Sequence, residues 1–436
     1  MPRYSQRRIL AFWAPLAATW AMMASEGPFL AAVIARLPDA THNLAAHGVA
    51  WALAILAEAP VIMLMSAATS LVRDRSSFLE LRAFSRVLAL GTTSVLAVLL
   101  LPPVYDRVTG SVMGLPPEVA EITHGALRFF LPWPAAIGYR RLLQGVLIRE
   151  GRTRQVAYGT VIRLSTMTAV AVAGYLALDV PGAWVAAMAL SSGVVAEAGA
   201  ARLMVAGTLR ELLAGERDEG EPRRLGLRGV ASFYVPLALT SLIGLSVQPM
   251  LTFFMGRSVA PIESLAVFPV VHALSFFFRA LGLAFQDTAI ALAGERFEHF
   301  PELRRFATGL GAATSLALAA VVLTPLSHVY FVQLSGLDAA LAGFANVPAR
   351  LVVPLPALSV LLSFQRAILV ESRRTRHITE ASALEVGTIA AVFVLLGWGL
   401  DLVGATAAFA AFLTGRVLSN TRLWFACRRA LAERAR

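Results

Sequence analysis

Twelve apolar runs alternate with short polar stretches along the chain, near residues 10–35, 43–72, 84–104, 122–148, 157–178, 181–207, 231–256, 262–293, 304–331, 344–370, 379–400 and 402–427. A bilayer core takes about 20 apolar residues per helix, so each run predicts one membrane-spanning α-helix. The fifth and sixth runs are separated by Asp179, Val180, Pro181 and Gly182, a short break made of turn residues. Arg3, Arg7 and Arg8 before the first run superficially resemble the start of a signal peptide. The run continues to about Ala35, however, which predicts a first transmembrane helix instead.

Arginine placement then orients the predicted helices. All 38 basic residues are arginine, which we read as genomic base composition, since arginine stands even in loops where lysine would serve. Twenty-six lie in the loops on one side, together with both termini, whereas Arg36, Arg107, Arg128, Arg257 and Arg350 lie on the other. The positive-inside rule therefore predicts a multi-pass protein of the cell (inner) membrane with both termini cytoplasmic.

The two halves of the chain repeat each other. FWAPLAATW from Phe12 returns as FYVPLALTS from Phe233, an offset of 221 that also pairs Ser25 with Ser246, Pro28 with Pro249 and Arg36 with Arg257. At an offset of 222, ELRAF (80–84) returns as ELRRF (302–306), and Arg128, Pro132 and Pro134 return as Arg350, Pro354 and Pro356. Asp179 and Gly182 likewise map to Asp401 and Gly404. Six spans per repeat preserve orientation, so the halves are parallel repeats about an axis along the membrane normal. The domains expected are an N-terminal six-helix lobe (1–207), a charged cytoplasmic linker (208–230) and a C-terminal six-helix lobe (231–436). A cavity between two such lobes is the usual geometry for alternating access.

Composition agrees: 57% of residues are hydrophobic and 15% charged, with a mean hydropathy of +0.69. Soluble domains carry about 25% charged residues. In a soluble chain the net charge of +11 would suggest nucleic acid; here it follows from the loop arginines, and no nucleic-acid partner is expected. A single cysteine, Cys427, excludes an internal disulfide and a cysteine-based metal site.

Seven arginines fall inside the spans (Arg140, Arg141, Arg163, Arg202, Arg279, Arg366 and Arg416), as do the acids Glu26, Glu58, Glu197, Asp287 and Glu385. An arginine at a helix centre costs about 2.5–3.5 kcal/mol on insertion scales, so such residues face a wet cavity or a partner. The pairs Arg163–Glu197 and Glu385–Arg416 read as structural. The repeat sets Glu385 opposite Arg163 and places Arg416 close to the counterpart of Glu197, which preserves the pair with its signs exchanged. Arg202, near a span end, is expected to snorkel. Arg140, Arg141, Arg279 and Arg366, with Glu58 as the repeat counterpart of Arg279, form the candidate substrate-binding set. Two readings stay open for them, anion recognition and a structural network. Guanidinium suits carboxylate and phosphate because its donors form a planar fork. Glu26, Glu58 and Asp287 are candidates for ion coupling.

Ten prolines (15, 28, 60, 132, 134, 236, 249, 269, 354 and 356) are expected to interrupt spans and free carbonyls, as in helices that line transport sites. No glycine-rich phosphate loop, nucleophile–base set or metal-ligand cluster occurs, so neither an enzyme nor a cofactor is expected. His42 and His47, or Glu121 and His124, lie in or beside outer loops and read as solvated surface.

The stretches FWAPLAATWAMMASEGPFLAAVIARLPDATHNLAAHGVAWALA, SLVRDRSSFLELRAF, VVPLPALSVLLSFQRAILVESRRTR and VGATAAFAAFLTG resemble the multidrug/oligosaccharidyl-lipid/polysaccharide flippase (MOP) superfamily. Within it they are similar to its MATE transporters, which have twelve spans in two six-helix lobes, and most of all to the progressive ankylosis (ANKH-like) family. That resemblance implies a secondary-active exporter of small anions such as citrate, other carboxylates, nucleotides or pyrophosphate. It would act as a monomer in the lipid bilayer, with a proton or sodium as a possible coupling ion. A cation-exporting multidrug pump and a flippase for lipid-linked precursors are the alternatives.

The topology has a direct test. A cysteine replacing Gly110 should react with an impermeant reagent from outside, and one replacing Gly220 should not; the reverse pattern overturns the orientation.

Overall fold

The computed structural model describes residues 5–214, 226–292, 298–372, 374 and 376–434; residues 215–225 of the expected linker lie outside them. Helices dominate the described residues, and the only β-structure among them is an isolated bridge between Val259 and Val403. Twelve helical spans follow in the order expected. Seven are single helices: the third (Arg75–Leu99), fifth (Thr153–Ala177), sixth (Gly182–Met204), eighth (Pro261–Leu292), ninth (Phe300–Leu323), eleventh (Arg376–Phe393) and twelfth (Gly404–Arg434). Nine stretches of the described residues are long and apolar enough to cross a membrane on length and composition alone. The second and fourth spans are split into shorter helices, and the twelfth is made more polar by Arg416, Ser419 and Asn420.

Five spans are broken in two. The first divides at Ser25, the second across Ala59–Met63, the fourth across Phe130–Pro132, the seventh at Ser246 and the tenth across Val352–Pro354. The repeat relates the first break to the seventh and the fourth to the tenth. Pro60, Pro132 and Pro354 sit in these breaks. Pro28, Pro134, Pro249 and Pro356 occupy the first turn of the following half-helix, where a missing N–H leaves no bond unmade. Pro15, Pro236 and Pro269 correct the sequence reading, because they lie inside helices that continue past them. The bond such a proline removes is one of many in a long helix, and neighbouring groups can satisfy the freed carbonyl.

The repeat extends to backbone detail. π-Helical turns at Arg107–Val112 and Val329–Leu334 lie 222 residues apart, and each leads to a glycine with positive φ, Gly114 at 67° and Gly336 at 74°. Glycine enters that region without the Cβ clash other residues meet.

By packing, the chain forms two compact units, one of Met1–Ala45 with Phe253–Arg436 and the other of Ala46–Thr252. These differ from the repeat boundaries expected at 207 and 231: the first span packs with spans eight to twelve, and the seventh with spans two to six. Hydrogen bonds explain the exchange. In the second unit Tyr234 Oη donates to the carbonyl of Pro60 and Ser241 Oγ to that of Ala59, both at 2.6 Å. The break frees the Pro60 carbonyl, since Leu64 N–H bonds Val61 O instead. In the first unit Trp13 Nε1 donates to Leu281 O at 3.1 Å. Trp13 and Tyr234 are repeat counterparts at 221, and so are Pro60 and Leu281. The same aromatic-to-carbonyl bond is thus made twice.

Close backbone approach sets one glycine. A Cβ on Gly145 of the fourth span would lie 2.5 Å from both Ala68 Cβ and Met65 O of the second. Gly145→Val should lower the thermal midpoint in detergent, by the equivalent of about 1–3 kcal/mol for an overpacked contact. At the start of the third span Asp74 caps the helix, accepting from Ser77 N at 2.8 Å in a capping box. Hydrogen bonds from the Ser77 and Ser76 backbone and hydroxyls hold its carboxyl below the usual aspartate range. The cap therefore contributes fully above the unfolded aspartate value, about 3.9, and is lost as pH falls through the depressed folded value. Asp74→Ala should cost about 1 kcal/mol near neutral pH, and the difference from wild type should shrink on acidification. A pH-independent difference would contradict the assignment.

Candidate functional site

The second half of the fourth span begins at Trp133, just past the break, and carries Arg140, Arg141 and Gln144. Residues four apart share a helix face, and adjacent ones point about 100° apart. Arg140 and Gln144 accordingly reach the same acid, Glu197 of the sixth span. Arg140 Nη1 forms an ion pair with Glu197 Oε2, and Gln144 Nε2 donates to Glu197 Oε1 at 3.0 Å. Arg163 of the fifth span approaches from the other side, its Nε 3.9 Å from Glu197 Oε2. The expected Arg163–Glu197 contact is thus present, but Arg140 is the closer partner. Glu197 itself is 1% exposed.

Arg141 turns toward the second span, where its Nη1 lies 3.6 Å from Met65 Sδ, and among the described residues it makes no ion pair. Glu58, close enough for Arg141, Arg140 and Arg163 to act on it electrostatically, accepts from Trp133 Nε1 at 2.6 Å. It too has no carboxylate–guanidinium bridge among the described residues. Trp133 is held by Trp51 and Phe130, with ring centroids 5.6 and 5.4 Å away.

The other unit holds a second cluster. Arg416 of the twelfth span places Nη2 2.7 Å and Nε 2.8 Å from Glu385 Oε1 of the eleventh. Arg279 of the eighth span donates from Nε to Ser359 Oγ at 3.3 Å and lies 4.7 Å over the Phe412 ring, whose centroid is also 5.5 Å from the Arg416 guanidinium. Arg279 Nη1 is buried with no hydrogen-bond partner. Arg366 Nη2 reaches Ser382 Oγ at 3.4 Å, and Arg366 feels both Arg416 and Glu385. Arg416 therefore takes the carboxylate, and Arg279 and Arg366 are left with serine partners.

Among the remaining sequence candidates, Asp287 is exposed on the eighth span, and Glu26 is the first residue of the helix Glu26–Ile34. Of the four candidate arginines, Arg140 alone makes an ion pair among the described residues. Among the described residues no three histidine, cysteine, aspartate or glutamate side chains gather as metal ligands. Trp133, Ser359 and Phe412 escaped the sequence reading. Trp133 stands between Pro132 and Pro134, a signal of a break that could have marked it; an isolated serine and phenylalanine carry no such mark.

The two acid-centred clusters predict unequal losses. Removing one partner of a buried pair costs about 3–5 kcal/mol in soluble proteins, and less in lipid, where the unfolded reference also finds partners. Glu385→Ala and Arg416→Ala should each lower the amount of folded protein in membranes, and the exchanged pair Glu385→Arg with Arg416→Glu should recover it. At Glu197, Arg140→Ala should be more damaging than Arg163→Ala. Normal expression of the single variants would contradict a structural role.

No protein-family model matches the chain, and no curated protein matches it in sequence. Solved structures do share its fold. A multidrug resistance MATE family transporter of the MOP superfamily, in an inward-facing conformation, superposes with a TM-score of 0.74 at 16% identity, over 96% of this chain and 95% of that one. The lipid II flippase MurJ, inward closed, gives 0.71 at 9% identity over 97% and 90%. A MOP superfamily transporter from Pyrococcus furiosus Vc1, described by a binding pocket of reverse polarity that suggests a different function, gives 0.65 at 14% over 100% and 98%. The chain has the all-helical, twelve-span fold of the MATE transporters.

Proposed function

We propose that the protein is a secondary-active membrane transporter of the MOP type, not an enzyme, and that it exports small organic or phosphate-bearing anions by alternating access. The observation that carries the anion reading is a guanidinium, Arg279, buried without an ion-pair partner among the described residues, with Arg366 also unbridged. Arg416 alone bridges the Glu385 carboxylate, while Arg279 bonds Ser359 with its Nη1 left without a partner and Arg366 reaches Ser382. A buried, unmatched guanidinium is costly, and an anionic guest with two acceptor oxygens would satisfy it. The fold, shared with transporters and a flippase, supports the transport reading, and the reverse-polarity pocket described for the archaeal neighbour is a precedent for changed pocket charge on this fold. The narrower likeness to the progressive ankylosis family rests on the sequence stretches and points to citrate, other carboxylates, nucleotides or pyrophosphate.

A second reading is favoured by Glu58. It is buried, accepts one indole N–H and forms no ion pair among the described residues. Such an acid suits a proton or sodium site, as a cation-exporting pump or an ion-coupled antiporter would need. We assign it to coupling, with Arg279 and Arg366 to the anion and the protein working as a monomer.

Uptake of radiolabelled citrate, radiolabelled ATP and a cationic dye into inside-out vesicles separates the readings. Anion uptake should exceed dye uptake. Arg279→Ala and Arg366→Ala should each reduce it about ten- to hundred-fold, the worth of a charge-assisted hydrogen bond of about 1.5–3 kcal/mol. Arg279→Lys should also impair it, because the ammonium keeps the charge and loses the fork. Normally expressed alanine variants with unchanged anion uptake would remove the proposed site and favour the cation pump.

A further inference from the structure

A cavity of about 650 Å³ opens in the unit Ala46–Thr252, among the third, fourth and sixth spans and the short helix Ala206–Ala214. Four arginines line it: Arg82 and Arg86 from the third span, Arg202 from the end of the sixth, and Arg210 from the short helix. Phe78 and Leu142 form apolar wall. No acidic side chain among the described residues lines it. It contains none of the residues assigned above to anion transport or coupling.

The other repeat shows what this place looks like without a cavity. At the offset of 222, Phe78 corresponds to Phe300, Leu142 to Phe364, Arg86 to Thr308 and Arg202 to Trp424. Phe300 and Phe364 stack with centroids 5.4 Å apart and pack with Ile368, Cys427 and Ala430 in a solid apolar core. The twelfth span, counterpart of the sixth, runs unbroken to Arg434, whereas the sixth ends at Met204 and turns at Val205 into the short helix. The same fold position is therefore filled in one half and open in the other. An unfilled cavity forfeits packing that the chain achieves elsewhere, and four guanidiniums, with Arg86, Arg202 and Arg210 exposed, turn a positive field on it that attracts an anion.

The shape of the lining selects among anions. Guanidinium forks suit phosphate oxygens. A soluble phosphate would use the arginines and leave the phenylalanine and leucine wall unused. Leu203, 78% exposed, and Tyr139, 40% exposed, also line the cavity and continue its apolar side outward. Basic pockets between membrane helices at the arginine-rich face are suited to anionic lipid headgroups. We propose that this cavity binds the phosphate headgroup of an anionic phospholipid, with an acyl chain laid along Tyr139 and Leu203. Arg86 and Arg202, which the other repeat lacks, and Arg210, whose helix has no separate counterpart there, mark it as a site of the N-terminal repeat alone.

The test uses the full-length protein in detergent, with native mass spectrometry to count bound phosphatidylglycerol or phosphatidylcholine and thermal shifts to compare phosphatidylglycerol with inorganic phosphate. Phosphatidylglycerol should bind in preference to phosphatidylcholine and raise the thermal midpoint, while inorganic phosphate should not. The triple variant Arg86→Ala, Arg202→Ala, Arg210→Ala should weaken phosphatidylglycerol binding about a hundred-fold, from about 1 kcal/mol per arginine. Leu142→Phe, which imports the filling residue of the other repeat, should displace the lipid while keeping all four charges. If the triple variant does not fold, Leu142→Phe alone decides. Equal binding of the two lipids, undiminished phosphatidylglycerol binding in Leu142→Phe or in a folded triple variant, or an equal shift with inorganic phosphate would each overturn the proposal.

Discussion

Inside a bilayer a carbonyl released from its helix has no water to bond, and the bond from Tyr234 to Pro60 answers that constraint, while its counterpart from Trp13 reaches Leu281 within a continuous helix. They tie the opening span of each repeat to the second span of the other, and the two compact units follow from that exchange. Breaks in the helices are tolerable because such donors are in place. At Pro236 the helix carries on past the proline.

Charge obeys the same constraint with more at stake. In one unit Glu197 gathers Arg140, Arg163 and Gln144; in the other Glu385 holds Arg416 while Arg279 and Arg366 lie within its field. The acid has moved from the sixth span to the eleventh between repeats, so the charge of the counterpart positions Arg163 and Glu385 is inverted. A bond that served only to hold helices together would need one cation per acid. The additional guanidiniums are what the anion proposal accounts for, and Glu58, with an indole N–H in place of a cation, is what the coupling proposal accounts for.

The repeats diverge where the N-terminal one holds a cavity. Leucine for phenylalanine at 142, arginine for threonine at 86 and a turn at Val205 convert an aromatic core into a basic pocket. These changes cluster at one place, while the packing of Gly145 against the second span and the paired glycines Gly114 and Gly336 preserve the frame around it.

Much of this was legible in the chain itself. Apolar run length set the twelve spans, because the bilayer thickness is fixed and a helix rises a constant distance per residue. The recurrence of FWAPLAATW as FYVPLALTS revealed the repeat, and the i, i+4 spacing of Arg140 and Gln144 placed them on one face. Partner choice was not legible. Arg140 rather than Arg163 became the close partner of Glu197, and Trp133 rather than an arginine took Glu58, because those pairings depend on how helices distant in sequence rotate and pack. Likewise Pro60 and Pro236 look alike as residues, yet one sits in a break and the other in a continuous helix. Hydropathy and local propensity act along the chain and are read from it; hydrogen-bond satisfaction across helices is decided only when tertiary packing brings a donor such as Tyr234 to a freed carbonyl.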